Sequence, residues 1–117
     1  MRVKIEEVSY KFGSTQENLA ILKSINPDWD IDKILDKTGI NNRYCSGDNE
    51  TALDLAVEAG KKLHSQLQDI DLLVFVTQSP EYILPTTACI AQDRLGLDKN
   101  IAAFDINLGC SGYVYAL

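Results

Sequence analysis

Two apolar stretches dominate the second half of the chain, at residues 70–77 and 101–106. Uninterrupted β-prone runs of this kind are typical of strands that are covered on both faces, as in a parallel sheet. Between them, residues 86–95 carry apolar side chains at helical spacing, and Gly96 ends the pattern. This alternation of strands with helices predicts an α/β layered fold.

Weaker patterns in the first half predict one strand and two short helices. The loose alternation over residues 2–10 predicts a half-buried or edge strand. Residues 17–25 and 31–35 have the pattern of short helices, and Gly39 stands where the second helix would end. The two helices are separated by an Asn-Pro-Asp turn at residues 26–28.

A longer helix is predicted after the polar loop at residues 46–49. Thr51 and Asp54 have the spacing of a capping box, which marks a helix start. Apolar residues or glycine then recur on one face, at Leu53, Val57, Gly60, Leu63 and Leu67. His64 lies near this face, and we expect it to pack there or at an interface rather than to act in catalysis.

A cysteine between two glycines follows the second apolar strand. Gly109 and Gly112 remove side-chain bulk around a tight strand-to-helix turn, as in a nucleophile elbow. Such a turn would present the Cys110 sulfur at the start of a helix, where unpaired N–H groups favour a thiolate. A buried cysteine that fills space beside two packing glycines explains the spacing equally well.

The last residues predict a helix that is apolar on all sides. Residues 111–117 have no stop signal after them, and Tyr113 and Tyr115 are expected to pack in a core. A helix of this kind needs protein around it. We therefore expect the natural polypeptide to continue past Leu117, so that residues 1–117 form one domain truncated just after Cys110. A short surface helix is the alternative.

Composition and charge argue against several classes of protein, among them nucleic-acid-binding and membrane proteins. The net charge of −6, with no basic stripe, argues against a nucleic-acid partner. No signal peptide is evident, and the longest apolar run is too short to span a bilayer, which predicts a cytoplasmic protein without membrane contact. Cys45, Cys89 and Cys110 are odd in number and widely spaced, so they predict free thiols rather than disulfides or a metal site.

Three stretches resemble the 3-oxoacyl-acyl-carrier-protein synthase III family of thiolase-fold condensing enzymes. Residues 104–117 are similar to its active-site motif, in which an aromatic-Asp pair ends a strand and Cys-small-Gly-aromatic starts a helix. Residues 37–44 are similar to its Thr-Gly-Ile turn, and residues 84–88 to the segment that reaches the dimer partner's acyl pocket. The resemblance implies the N-terminal half of a thiolase-like α/β fold, with a mixed, mostly parallel sheet and helices on both faces.

The resemblance also implies an acyltransferase that works in two steps. Cys110 would take an acyl group from acyl-CoA, and malonyl-acyl-carrier-protein would then decarboxylate and condense with it to a 3-oxoacyl product. The N–H of Cys110 would help to hold the oxyanion. The implied partners are acyl carrier protein, acyl-CoA and a second copy in a homodimer, with no metal or cofactor, and the implied role is in fatty acid biosynthesis.

The family's catalytic histidine and asparagine lie in the second half of its chain. Residues 1–117 alone are therefore expected to be inactive in condensation. Near the Thr-Gly-Ile turn, the resemblance makes Lys37, Thr38 and Arg43 candidates for binding CoA or phosphopantetheine, although ordinary solvated charges explain Lys37 and Arg43 at least as well. Leu84 stands where the family closes the partner's acyl pocket. Trp29 lies farther from the turn than the family's adenine-packing tryptophan, so it is a doubtful match.

Three alternatives stay open. A sister condensing family, of the thiolase, hydroxymethylglutaryl-CoA synthase or chalcone-synthase type, would share much of the cysteine motif. A cysteine hydrolase would release free acid from a thioester without needing malonyl-carrier. A non-catalytic thiolase-fold partner would form no acyl adduct, and the presence of Cys110 at the motif position counts against it.

Overall fold

The structure is a computed structural model that describes residues 4–63 and 67–117. Its helices and strands are, in order, β1 (Thr15–Asn18), α1 (Leu19–Ile25), α2 (Ile31–Thr38), β2 (Asn42–Cys45), α3 (Ala52–Lys61), β3 (Leu72–Val76), α4 (Thr87–Arg94), β4 (Ala102–Ile106) and α5 (Gly112–Ala116). A 3-10 turn covers Leu67–Asp69. The chain divides into two compact units, Phe12–Glu50 and the remaining described residues.

The smaller unit, Phe12–Glu50, combines one antiparallel strand pair with two short helices. β1 pairs with β2 so that Glu17 lies opposite Arg43. The Asn18 side chain accepts a hydrogen bond from the Ile21 N–H and caps α1. α2 ends at Gly39, whose φ of 67° is left-handed, as the sequence predicts for a glycine at this position.

The larger unit is built on a parallel pair of strands. β3 and β4 pair in parallel, and the pairing brings Phe75 opposite Asp105 and Val76 opposite Ile106. Aligned residues of parallel strands point to the same face. Phe75 packs against the buried core of α3 and α4, whereas Val76 and Ile106 lie against Gly112 of α5. Helices therefore lie on both faces of this pair, as predicted.

The core of the larger unit lies between α3, α4 and one face of β3. It is formed by Leu53, Val57 and Ala91, with Phe75 among the partly buried residues around it. At the start of α3, Thr51 and Asp54 make the predicted capping box. α3 ends at Lys61, before the last apolar positions of the predicted stripe, and His64 lies outside the described residues.

Several predictions for the first half are wrong. The described residues 4–10 form no strand; instead, the Ser9 hydroxyl donates to the Ala59 carbonyl at 2.7 Å and Lys62 Nζ donates to the Tyr10 carbonyl at 2.7 Å. These contacts attach the segment to the end of α3 through side-chain donors. A strand would instead be held by backbone hydrogen bonds to a neighbouring strand. Residues 17 and 18, predicted to be helical, belong to β1, because Glu17 pairs across the sheet with Arg43 of the unpredicted β2.

The α5 face is only partly covered in the described chain. Tyr113 and Tyr115, expected in a core, are exposed, with Tyr115 at 74% of its full accessibility. Leu72 and Phe104 of the sheet face that bears α5 are also about half exposed. The short helix rests on the strands through the buried Gly112, which brings only one side of α5 against the sheet. All helices in the described residues fall short of the length and apolar content of a membrane span.

Candidate active site

Cys110 lies in the turn that joins β4 to α5. Its side chain is exposed, and it precedes the first residue of α5 by two positions. The Gly112 N–H donates to the Gly109 carbonyl at 2.8 Å, which closes the turn around the cysteine. The predicted strand–turn–helix arrangement is therefore present. Among the described residues Cys110 is exposed, so it does not fill space in the core that they form.

Both glycines that flank Cys110 lie in close contact with other residues, and the contact at Gly112 is the tighter one. A Cβ on Gly112 would lie 2.5 Å from Cγ1 of Val76, and a Cβ on Gly109 would lie 2.9 Å from Nε2 of Gln78. Cβ atoms essentially never approach other heavy atoms this closely. Gly112 therefore lets the turn pass close over the end of β3, whereas the flexible Gln78 side chain could move to make room at position 109. Gln78 contacts the turn that carries the cysteine. No motif in the sequence predicts this contact.

Asp105 connects β4 to the first turn of α4. Its carboxylate accepts hydrogen bonds from the Thr87 N–H at 2.8 Å and from the Ala88 N–H at 2.7 Å. A negative charge at a helix N-terminus is stabilised by the unpaired N–H groups there. The sequence pattern places Asp105 only in the aromatic-Asp pair before the cysteine motif. The structure gives it a specific tertiary contact.

Two of the predicted CoA-binding residues line a cavity in the smaller unit. Thr38 and Arg43 line a mostly apolar cavity of about 200 Å³, together with Trp29. The spacing of Trp29 makes it a doubtful match to the family's adenine-packing tryptophan. In the structure α2 lies between Trp29 and the Thr-Gly-Ile turn, and the indole lines the same cavity as Thr38. Lys37 is exposed at the end of α2 and does not line the cavity.

The polar groups of Thr38 and Arg43 already have partners. The Thr38 hydroxyl donates to the Ile34 carbonyl at 2.7 Å and accepts from the Ile40 N–H at 3.1 Å. The Arg43 guanidinium donates to Glu17 Oε2 at 2.7 Å through Nε and forms a salt bridge with the same carboxylate. This hydrogen bond and the charge of Glu17 raise the pKa of Arg43 above its ordinary value.

Leu84 lies in the exposed loop between β3 and α4. Its side chain retains 79% of its full accessibility, and the neighbouring Ile83 is more exposed still. The peptide bond between Leu84 and Pro85 is cis. A large apolar side chain that stands clear of its own chain is available to fill a pocket elsewhere. The structure does not place Leu84 in the cavity that Thr38 and Arg43 line.

Comparison with known proteins identifies the family. No family profile matches the chain. A beta-ketoacyl-[acyl-carrier-protein] synthase III of Clostridium perfringens is 52% identical over 85 residues, which cover 69% of this chain and 26% of the relative. A crystal structure of a 3-oxoacyl-(acyl-carrier-protein) synthase III superposes with a TM-score of 0.86 at 43% identity, and covers 95% of this chain and 34% of that one. The chain belongs to the synthase III family.

A second synthase III relative extends the match along the chain. The beta-ketoacyl-[acyl-carrier-protein] synthase III of Thiobacillus denitrificans is 39% identical over 107 residues, or 88% of this chain and 32% of the relative. The predicted thiolase-like α/β fold is confirmed by the solved synthase III structures. This synthase III chain spans about a quarter to a third of the length of the curated relatives it matches.

The site residues predicted for this synthase III chain fall into four places, one of which is the exposed end of α2, where Lys37 lies. Cys110 lies at the β4–α5 turn, Thr38 and Arg43 line the cavity of the smaller unit, and Leu84 lies in the loop before α4. Sequence reasoning missed Gln78 and underrated Asp105. The only sequence signal for either was position, since each lies at or just beyond the end of an apolar strand, where side chains of parallel strands reach the same edge.

Proposed function

We propose that this chain is the nucleophile-bearing, N-terminal part of a 3-oxoacyl-acyl-carrier-protein synthase III, and that Cys110 is its acyl acceptor. The observation that carries the proposal is the exposed cysteine in a strand-to-helix turn, where Gly112 lies tightly against Val76 of β3 and Gly109 lies against Gln78. Membership of the synthase III family supports the reaction class.

The proposed chemistry begins at the Cys110 sulfur. The thiolate attacks the thioester carbonyl of an acyl-CoA, the carbon–sulfur bond to CoA breaks, and CoA leaves as a thiol after it takes up a proton. The backbone N–H of Cys110 donates to the oxyanion that forms during the attack. The second substrate, malonyl-acyl-carrier-protein, loses carbon dioxide. The resulting enolate attacks the acyl-cysteine to give the 3-oxoacyl product and free Cys110.

For CoA or phosphopantetheine, we propose the cavity of the smaller unit. Its apolar wall includes Trp29, whose indole is about half exposed and can stack on a flat ring. Thr38 and Arg43 belong to the polar part of the lining, which also includes Glu17, Asn18, Asn41 and Asn42. Lys37 at the end of α2 adds positive charge nearby in sequence. The hydrogen bond from Arg43 to Glu17 holds the guanidinium in one place, so that phosphate binding would need no reordering of a free side chain.

The remaining parts of the proposal concern the complete enzyme. We propose acyl carrier protein and acyl-CoA as its partners, a homodimer in which Leu84 closes the acyl pocket of the second copy, and a cytoplasmic role in fatty acid biosynthesis, without metal or cofactor. The supporting features are family membership and the exposure of Leu84. Residues 1–117 alone are expected to form no condensation product, because the family's histidine and asparagine lie beyond them.

The test of the proposed function is the dependence of product on the second substrate. The complete enzyme that carries this segment is incubated with labelled acyl-CoA, with and without malonyl-acyl-carrier-protein, and the products are separated. A 3-oxoacyl product that requires malonyl-carrier supports the synthase. Free acid released equally with and without malonyl-carrier selects the hydrolase instead. The absence of both an acyl adduct and a product selects a non-catalytic partner and overturns the proposal.

A further inference from the structure

We propose that Asp105 is a positioning residue of the condensing reaction, which fixes the segment carrying Leu84 and thereby sets the acyl chain length that the enzyme accepts. The inference rests on the proposed function, since it assumes that acyl groups are loaded onto Cys110. Asp105 does not itself touch the substrate. Asp105 acts through the first turn of α4.

Asp105 accepts two hydrogen bonds from the start of α4. One carboxylate oxygen of Asp105 accepts from the Thr87 N–H at 2.8 Å, and the other accepts from the Ala88 N–H at 2.7 Å. Both distances are in the range of charge-assisted hydrogen bonds, which are stronger than neutral ones. Because both oxygens are used, the carboxylate fixes the direction of the helix start as well as its position.

The sequence of α4 provides no cap of its own. The Thr86 side chain, at the N-cap position, makes no capping hydrogen bond; its hydroxyl is 3.3 Å from the Cys89 sulfur instead. Asp105, from a neighbouring strand, supplies the acceptor that a local Ser, Thr or Asp usually gives. Thr87 and Ala88 are buried, so water would not easily replace a lost acceptor. The start of α4 is therefore set by β4.

Two functional segments meet at this contact. Leu84 lies three residues before Thr87, on the exposed loop that enters α4. Asp105 lies five residues before Cys110, on the strand that leads to the turn. Fixing the first turn of α4 leaves only residues 85 and 86 between it and Leu84, which limits how far Leu84 can move. Loss of the contact would let Leu84 move and would change the depth of the pocket that it closes.

The experiment compares acylation of Cys110 by acyl-CoA thioesters of increasing chain length in the complete enzyme. Asp105→Asn keeps the shape but turns one acceptor into an NH₂ group that faces an N–H donor. We expect the ratio of kcat/KM for short over long acyl chains to change by about tenfold. Thr87→Pro leaves Asp105 intact and removes one donor at the first helical position, where proline is tolerated. It should shift the ratio in the same direction by a smaller factor.

The matched control is Asp98→Asn, which makes the same charge change before the other end of β4. Asp98 accepts from the Asn100 N–H in a local turn, so its loss should leave the chain-length ratio unchanged. A uniform fall in rate for all chain lengths in Asp105→Asn and Thr87→Pro, or no change, overturns the inference. If Asp105→Asn does not fold, the chain-length ratio measured for Thr87→Pro tests the inference in its place. If the unmodified enzyme forms no Cys110 adduct at all, the proposed function itself fails, a result distinct from an unaltered ratio in an active variant.

Discussion

The Cγ1 atom of Val76 lies 2.5 Å from the position that a Cβ on Gly112 would occupy. α5 therefore lies on the end of β3 with its backbone in direct contact with a strand side chain. Cβ of Leu108 lies 3.2 Å from the same position, so the space is closed from two sides. The position of this helix start also fixes the turn that carries Cys110, because only Ser111 separates the two.

Gly112→Ala should therefore lower the free energy of unfolding by about 1–3 kcal/mol, the usual cost of overpacking a tight contact. It should also slow the alkylation of Cys110, because the helix start has to move away from Val76. Urea unfolding and the rate of iodoacetamide labelling measure the two effects.

The rescue variant is Val76→Ala, which removes the atom that would clash. The double variant should recover part of the stability lost in Gly112→Ala. Val114 lies on the exposed side of the same helix and is 72% exposed. Val114→Ala should therefore change the free energy of unfolding by less than about 0.5 kcal/mol. A Gly112→Ala protein as stable as the parent would show that α5 does not pack on β3 as described.

Asp54 predicts a dependence of stability on acid pH. Hydrogen bonding by the Thr51 backbone N–H, then by Arg94 and by the Thr51 hydroxyl, lowers the pKa of Asp54 from 3.8 to about 2. A carboxyl whose pKa is lower in the folded state stabilises the fold fully above its unfolded pKa. That contribution is lost as the pH falls from about 3.8 through about 2.

The measurement is the free energy of unfolding of the parent and of Asp54→Asn between pH 5 and pH 2. The parent should lose stability more steeply with falling pH than Asp54→Asn does. Arg94→Met removes the 2.7 Å ion pair between α4 and α3 but keeps the capping box, so its slope should lie between the two. Equal slopes for all three proteins would contradict the assigned contacts of Asp54.

Thr87 carries a buried hydroxyl without a hydrogen-bond partner among the described residues. The residue retains 3% of its full accessibility, and its Oγ1 is fully buried. An unsatisfied buried polar group costs about 1–3 kcal/mol. Thr87→Val keeps the branched shape and should raise the free energy of unfolding by about 1 kcal/mol in a urea titration. A clear loss of stability would instead show that the hydroxyl has a partner, such as an enclosed water molecule.

The second half of the fold was predictable from sequence because its signals are local. The apolar runs of β3 and β4 and the Thr51–Asp54 capping box each specify their element within a few residues. The first half was less predictable. β1 and β2 are short, polar strands whose pairing depends on the cross-strand contact between Glu17 and Arg43, and no period along the chain reveals such a partner.

Some residues of the candidate site were likewise predictable from sequence, and others were not. Cys110 and its two glycines were identifiable because strand, turn and helix follow one another directly in the sequence. Trp29 could not be assigned to the cavity from spacing, because a whole helix lies between it and the Thr-Gly-Ile turn. Asp105 could not be assigned a role either. Its partners, the Thr87 and Ala88 N–H groups, are backbone atoms that carry no sequence signature.

The most direct test of the central claim is the intact mass of the complete enzyme after incubation with an acyl-CoA. We predict a gain of one acyl group that is lost in Cys110→Ala and kept in Cys89→Ala, the matched control for an exposed thiol on α4. Peptide mapping should place the acyl group on Cys110. An adduct that persists in Cys110→Ala, or that disappears in Cys89→Ala, would contradict the assignment of Cys110 as the acyl acceptor.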